Sequence, residues 1–150
     1  MPYTVKKGDI TKQTADVIVN AANTELHHTG GVASAIALAA GAALNEESRD
    51  QGFTPIGTFA TTTAGNLKAE IVIHIPTIDY QAEGKIITYE QLRSVWGDVL
   101  DHCEQEGFSS IATPLFGAGA CGLDAKRVET ILSAEAKKHP DLIVTIVVKS

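Results

Sequence analysis

The sequence predicts an α/β domain in which helices cover both faces of one sheet. Apolar β-branched runs alternate along the chain with segments whose apolar residues recur at helical spacing. Two of those runs, "DVIVN" (Asp16 to Asn20) and "LIVTIVV" (Leu142 to Val148), are nearly unbroken, as in strands buried on both faces. A chain of 150 residues is also long enough for one core, burying roughly two thirds of the surface its unfolded form exposes. One domain over residues 1–150 is expected.

The elements follow in order. "YTVKK" (Tyr3 to Lys7) reads as a short strand and "DVIVN" as the second. Val32 to Ala43 is rich in alanine, the best helix former, and reads as one helix. "GTFATTTA" (Gly57 to Ala64) alternates as a strand does, and "EIVIHIP" (Glu70 to Pro76) is a further strand after the turn "GNLKA". From about Tyr89 to Glu106, the residues Leu92, Val95, Trp96, Val99, Leu100 and Cys103 mark the buried face of an amphipathic helix that Gly107 stops. "SSIATPL" (Ser109 to Leu115) is a strand, Asp124 to His139 a helix with Pro140 just beyond it, and "LIVTIVV" the last strand.

Composition narrows the function classes. No apolar run approaches the ~20 residues a bilayer requires, and the N-terminus "MPYTVKKGDI" lacks an export signal, so a cytoplasmic location is expected. Cys103 and Cys121 have no metal-ligand spacing and give no disulfide framework. The net charge of −6 and the scattered basic residues argue against a nucleic-acid partner.

In an open α/β sheet, ligands bind beyond the carboxyl ends of the strands. Three stretches lie at such ends: "GDI" (Gly8 to Ile10), "NAANTELHHTGGV" (Asn20 to Val32) and "FGAGACG" (Phe116 to Gly122). Gly30-Gly31 before a helix lets backbone amides approach an anion, and "GAGACG" repeats the arrangement before the helix near Asp124. Each feature also has a plainer reading. Gly-Gly suits a tight turn, Asn20 and Asn23 suit an Asx-turn, Asp9 and Asp124 suit helix caps, and His74 suits a hydrogen-bonded core position. His27 and His28 suit a solvated loop, with no third ligand nearby for a metal.

Taken together, "GDIT", "ADVIVNAAN", "L-x-H-x-GGVA-x-AI", "IGTFATTTAGNLKAEIVIH" and "IATPLFGAGACG" resemble the macrodomain family over nearly the whole chain. The resemblance implies a three-layer α/β/α sandwich with a mixed central sheet and a cleft for ADP-ribose. It assigns Asp9 and Ile10 to adenine and Asn23 to the distal ribose. Thr29, Gly30, Gly31 and Val32 fall in the first phosphate loop, and Gly117, Ala118, Gly119, Ala120, Cys121 and Gly122 in the second. Ala22 and Leu115 complete the implied ligand contacts. Asn20 is expected to close the strand end, its side chain pointing away from the position Asn23 serves.

The implied activity is hydrolysis of ADP-ribosyl linkages to acidic side chains, or deacylation of O-acyl-ADP-ribose, with Asn23, His28 and Asp124 as catalytic candidates. In that scheme a water held by the substrate's diphosphate attacks C1″, and neither metal nor cofactor takes part. The partner is ADP-ribose or an ADP-ribosylated protein. MacroD-like members carry an aspartate where this chain has Ala33, whereas viral members share the alanine and keep Asn23 and His28. Asp124 matches a "GLD" segment of another subgroup, but the partner lysine of that subgroup has no counterpart between Val32 and Gly41. Cys121 stands where the family usually has Phe or Tyr, and Thr29 replaces the first glycine of a triplet. The alternative is a reader module that binds ADP-ribose without turnover. The chain ends soon after its last strand, as a minimal macrodomain would.

Overall fold

The computed structural model describes residues 3–119 and 121–149. Seven strands form one sheet: β1 (Tyr3–Gly8), β2 (Val17–Asn23), β3 (Ala60–Thr63), β4 (Ile71–Asp79), β5 (Lys85–Ile86), β6 (Ser110–Thr113) and β7 (Ile143–Lys149). Their order is β1-β7-β6-β2-β4-β3, with β5 also paired to β4. β1, β7, β6, β2 and β4 run parallel, while β3 and β5 are antiparallel to β4, so the sheet is mixed. Helices α1 (Gly31–Ala40) and α2 (Ala42–Gln51) lie on one face, and α3 (Tyr89–Gln105) and α4 (Ala125–Ala136) on the other. The architecture is the expected α/β/α sandwich.

Strand alternation sorts the apolar residues into the two interfaces. Val17, Val19, Ile73, Ile75, Val144 and Ile146 pack beneath α3 and α4, whereas Ile18, Val72, Ala112 and Val147 pack beneath α1 and α2. The buried face of α3 consists of the residues its periodicity marks, from Leu92 to Cys103. Its N-terminus is closed by a capping box in which Thr88 and Gln91 satisfy each other's backbone amides.

Four departures from the sequence reading stand out. The alanine-rich helix is two helices, because Gly41 adopts φ 98° and turns the chain between α1 and α2. α2 was not expected: its sequence "AALNEESRDQ" buries only Leu44 and Ser48, too few to show a helical stripe. β4 continues past Pro76 to Asp79. The proline lies between the last β3 pair, at His74, and the first β5 pair, at Ile78, where one side of β4 lacks a partner strand and a missing N–H costs least. β2 likewise extends to Asn23, which puts Asn20 inside the strand and not at its end.

The topology places a crevice. From β2 the chain crosses one face toward β4, and from β6 it crosses the other face toward β7, so β2 and β6 flank a switch point. Their ladder covers Val17–Ile111 and Ile18–Ala112, and the connections diverge beyond it. Asp16 fastens the opposite end, its Oδ2 accepting from Ser109 N at 2.7 Å, Ser109 Oγ at 3.0 Å and Ser110 N at 3.3 Å. These bonds hold the Asp16 carboxyl below the usual carboxylate range.

Trp96 ties α3 to α4 and to the segment after β6. It is fully buried, donates from Nε1 to the Leu132 carbonyl at 3.0 Å, and packs at 5.9 Å between ring centroids on Phe116. Trp96→Ala is expected to cost about 3–5 kcal/mol of unfolding free energy by urea titration; a cost below about 1 kcal/mol would mean that the surrounding helices collapse onto the void.

Candidate functional site

A cleft of about 500 Å³ opens at the carboxyl ends of β1, β6 and β7, against the start of α1. Its walls are Gly8, Asp9 and Ile10 after β1, Gly31, Val32 and Ala35 of α1, Pro114, Leu115, Ala118 and Gly119 after β6, and Val147, Val148 and Lys149 of β7. Apolar side chains predominate, with one carboxylate and one ammonium among the lining groups. A cleft of this size and character suits a ligand with a flat apolar part and a few polar handles.

Asp9 shapes one end. Its Oδ1 accepts from Thr11 N at 2.9 Å and Thr11 Oγ1 at 2.7 Å, capping the 3₁₀ turn Ile10–Lys12. The Thr11 hydroxyl and backbone amide hold its carboxyl below the usual range, so Asp9 is anionic at neutral pH. The hydrogen bonds it accepts from described residues fall on Oδ1, which leaves Oδ2 to a ligand.

The start of α1 forms another wall. Gly30 is its N-cap and supplies no side-chain bond, in contrast to Thr88 at α3 and Asp124 at α4. Among the described residues, the first amides of α1, from Gly31 to Ala33, thus have no side-chain acceptor, and the helix dipole adds partial positive charge there. Thr29 and Gly30 are exposed, and Gly31 takes φ 56°.

Asn23 ends β2 and organises the loop that follows. Its Oδ1 accepts from Glu25 N and His27 N, both at 3.1 Å, and its Nδ2 donates to the His27 carbonyl at 2.7 Å. This is the Asx-turn that the sequence allowed, and it uses one of the two amide hydrogens. Ala22 is buried against Leu26 and Ala60.

The loop after β6 is built on the core. Phe116 and Gly117 are buried, Ala118 N donates to the Leu115 carbonyl, Leu123 N to Gly117 and Gly122 N to Gly119. Cys121 Sγ lies 3.5 Å from Thr77 Oγ1 and 3.7 Å from the Thr77 carbonyl. Ala120 lies outside the described residues. Asp124 caps α4, its Oδ2 accepting from Arg127 N at 2.9 Å, while its own N–H donates to Tyr89 Oη at 3.0 Å.

His28 turns inward. Asn20 Nδ2, in the fully buried amide, reaches His74 Nδ1 at 3.0 Å and His28 Nδ1 at 3.4 Å. His28 Nε2 contacts Ser48 Oγ at 2.9 Å, His74 Nε2 contacts Thr62 Oγ1 at 2.8 Å, and the two rings stack at 4.9 Å between centroids. An amide donating to both Nδ1 atoms requires each ring to carry its proton on Nε2. Burial, then the neighbouring histidine, pushes His28 down to about 4 and His74 down to about 3.

The macro domain family profile matches residues 19–132. This chain belongs to the macro domain family. It is 40% identical over 139 residues to an uncharacterized protein of Sulfolobus acidocaldarius, covering 90% of this chain and 75% of that one. It spans only 37% of a Mycobacterium tuberculosis relative to which it is 35% identical. The fold matches the Oceanobacillus iheyensis macrodomain with ADP, at TM-score 0.86 and 26% identity over 99% of this chain and 83% of that one. It also matches the Trypanosoma brucei macrodomain in complex with ADP-ribose, at TM-score 0.85 and 25% identity over 97% of this chain and 63% of that one. No described helix of this macro domain is long and apolar enough to cross a membrane.

Of the residues singled out from the sequence, Asp9, Ile10, Gly31, Val32, Leu115, Ala118 and Gly119 line the cleft of the macro domain. Asn23 at the end of β2, His28 in the loop after it, and Cys121, Gly122 and Asp124 ahead of α4 do not line that cavity. Sequence reasoning missed Ala35, Pro114 and the β7 residues Val147, Val148 and Lys149. The carboxyl-end rule, extended to the last strand, points to the β7 group, and Ala35 lies one helical turn beyond Gly31.

The histidine pair makes stability depend on pH. Unfolded imidazoles take up protons near 6.5, whereas the folded rings resist until about 4 and about 3. The unfolded state therefore binds more protons across this window, and stability, complete above about pH 6.5, declines as pH falls toward 4. His74→Gln is expected to lower Tm at pH 7 and flatten the decline between pH 6.5 and 4.5 in thermal melts. An unaltered slope would assign the dependence to other groups.

Proposed function

We propose that this macro domain binds ADP-ribose in the switch-point cleft and releases it from acidic side chains by water attack on C1″ of the distal ribose. One observation carries the reading: an uncapped helix N-terminus and a carboxylate with a free oxygen face the same apolar cleft. The carboxylate suits the adenine amino group as an acceptor, through Asp9 Oδ2, with Ile10 beside the ring. The amides of Gly31, Val32 and Ala33 suit the diphosphate, which completes the helix end as a side-chain cap otherwise does. Gly117, Ala118 and Gly119, with Cys121 and Gly122, form the facing loop. The ADP and ADP-ribose complexes of macrodomains with this fold support the ligand class.

The groups around the distal end favour alignment over acid–base chemistry. His28 is tied into the core through both ring nitrogens, and Asp124 commits one carboxylate oxygen, Oδ2, to the α4 backbone. In the proposed step the water oxygen bonds to C1″, the bond from C1″ to the acyl oxygen breaks, and the carboxylate leaves with the electron pair. The water proton passes to a diphosphate oxygen and then to solvent. The protein's part is orientation, through the remaining Nδ2 hydrogen of Asn23 and the two loops. A non-catalytic reader is the second reading, favoured by the buried methyl of Ala33, which cannot hold a water.

Calorimetry with ADP-ribose, paired with release of ADP-ribose from a glutamate-modified protein, separates the readings. Binding with release that Asn23→Ala abolishes supports the hydrolase, binding without release supports the reader, and no binding removes both. Asp9→Asn keeps the Oδ1 cap but replaces the free oxygen with a donor, and is expected to weaken ADP-ribose binding by about 1.5–3 kcal/mol; unchanged affinity would remove Asp9 from the adenine end. Gly30 has extended backbone and open space around its Cβ position, so Gly30→Glu is accommodated without strain. Its carboxylate is expected to abolish ADP-ribose binding while Tm stays near wild type, and retained binding would place the phosphates elsewhere.

A further inference from the structure

We propose that Thr77 is a positioning residue that aims Asn23 and couples it to the loop after β6; the inference rests on the ADP-ribose reading. Along β2 and β4, Ala22 faces Pro76 but Asn23 faces Ile78, so Thr77 is an extra residue in the ladder. A bulge of this kind bends a strand and re-aims the side chains beside it. Here the extra residue lies on β4 opposite the peptide that joins Ala22 to Asn23, the residue that ends β2.

Thr77 is 4% exposed, and its Oγ1 donates to the Ala22 carbonyl at 3.2 Å. Having only one hydroxyl proton, Oγ1 acts as acceptor toward Cys121 Sγ at 3.5 Å. The relay therefore runs from the Cys121 thiol to the Thr77 hydroxyl to the Ala22 carbonyl. That carbonyl belongs to the peptide unit whose nitrogen is Asn23 N, so fixing its plane fixes the direction in which Asn23 leaves the strand. The backbone around the bulge is held on both sides, by Ile87 N on the Thr77 carbonyl at 2.9 Å and Thr24 N on the Ile78 carbonyl at 3.1 Å. The hydroxyl is thus left to set one peptide plane and to register the second loop against it. Thr77 itself lies outside the set lining the cleft.

The test compares ADP-ribose with ADP, which lacks the distal ribose, by calorimetry on the full chain. Wild type is expected to prefer ADP-ribose. Thr77→Val keeps the shape and removes the relay, and should reduce that preference roughly three- to tenfold with ADP affinity unchanged. Thr77→Ser should restore it, and Thr77→Val should add no further loss to Asn23→Ala. Cys121→Ala cuts the same relay from a half-buried loop position and should shift the preference in the same direction, which keeps the test usable if Thr77→Val folds poorly. Full preference in both variants, or equal loss toward both ligands, overturns the positioning role and leaves the ADP-ribose reading standing. Wild type binding both ligands equally also overturns it, and wild type binding neither overturns the reading and the inference together.

Discussion

A carboxamide with no exposure to solvent sits in the central strand of this sheet, and the first cleft loop is anchored to it. Asn20 has no contact with bulk solvent, and its amide hydrogens find His74 on the adjacent strand and His28 in the loop, while its Oδ1 has no partner among the described residues. The second contact pulls the segment after β2 back over the sheet and delivers the chain to the start of α1. Ser48 and Thr62 then satisfy the far sides of the two rings, which draws α2 and β3 into the same arrangement. The network lies on the helical face opposite the core beneath α3 and α4, so the two cleft loops have separate foundations. The first rests on polar pairing, and the second on the packing of Phe116 against Trp96.

This division resolves an apparent conflict of charge. A protein with a net charge of −6 is a poor partner for phosphate by long-range attraction. At close range, however, the backbone amides at the start of α1 and in the glycine loop supply partial charge that does not depend on net composition. On the ADP-ribose reading, the Asp9 carboxylate adds discrimination without adding attraction. Anion binding of this kind is less sensitive to salt than binding by a cluster of lysines, because it relies on directed hydrogen bonds within a walled cleft.

How far the sequence could be read depended on whether each feature was local. The face of α3 followed from spacing alone, and every residue its period marked is buried. The two-sided burial of β2 was legible in its apolar run, as was the location of the cleft at the strand ends. α2 was not legible, because Leu44 and Ser48 are too small a buried share of it to leave a period. The depth of Asn20 was missed since it depends on His28 and His74, neither adjacent in sequence. The bulge at Thr77 is a relation between two strands, and no single stretch of sequence encodes the register that produces it. The part of the cleft lined by Val147 to Lys149 depended in turn on β7 lying between β1 and β6.

The bare N-terminus of α1 has a further consequence, for how this domain can evolve. Serine, aspartate or asparagine at Gly30 would be an ordinary stabilising change for a helix that begins without a cap. Yet the new side chain would occupy the same amides that the proposed ligand completes, acting as a built-in competitor. Selection for thermal robustness and selection for ligand affinity therefore pull this one position in opposite directions, and glycine is the choice that leaves part of the helix's stability to be supplied by whatever the cleft binds.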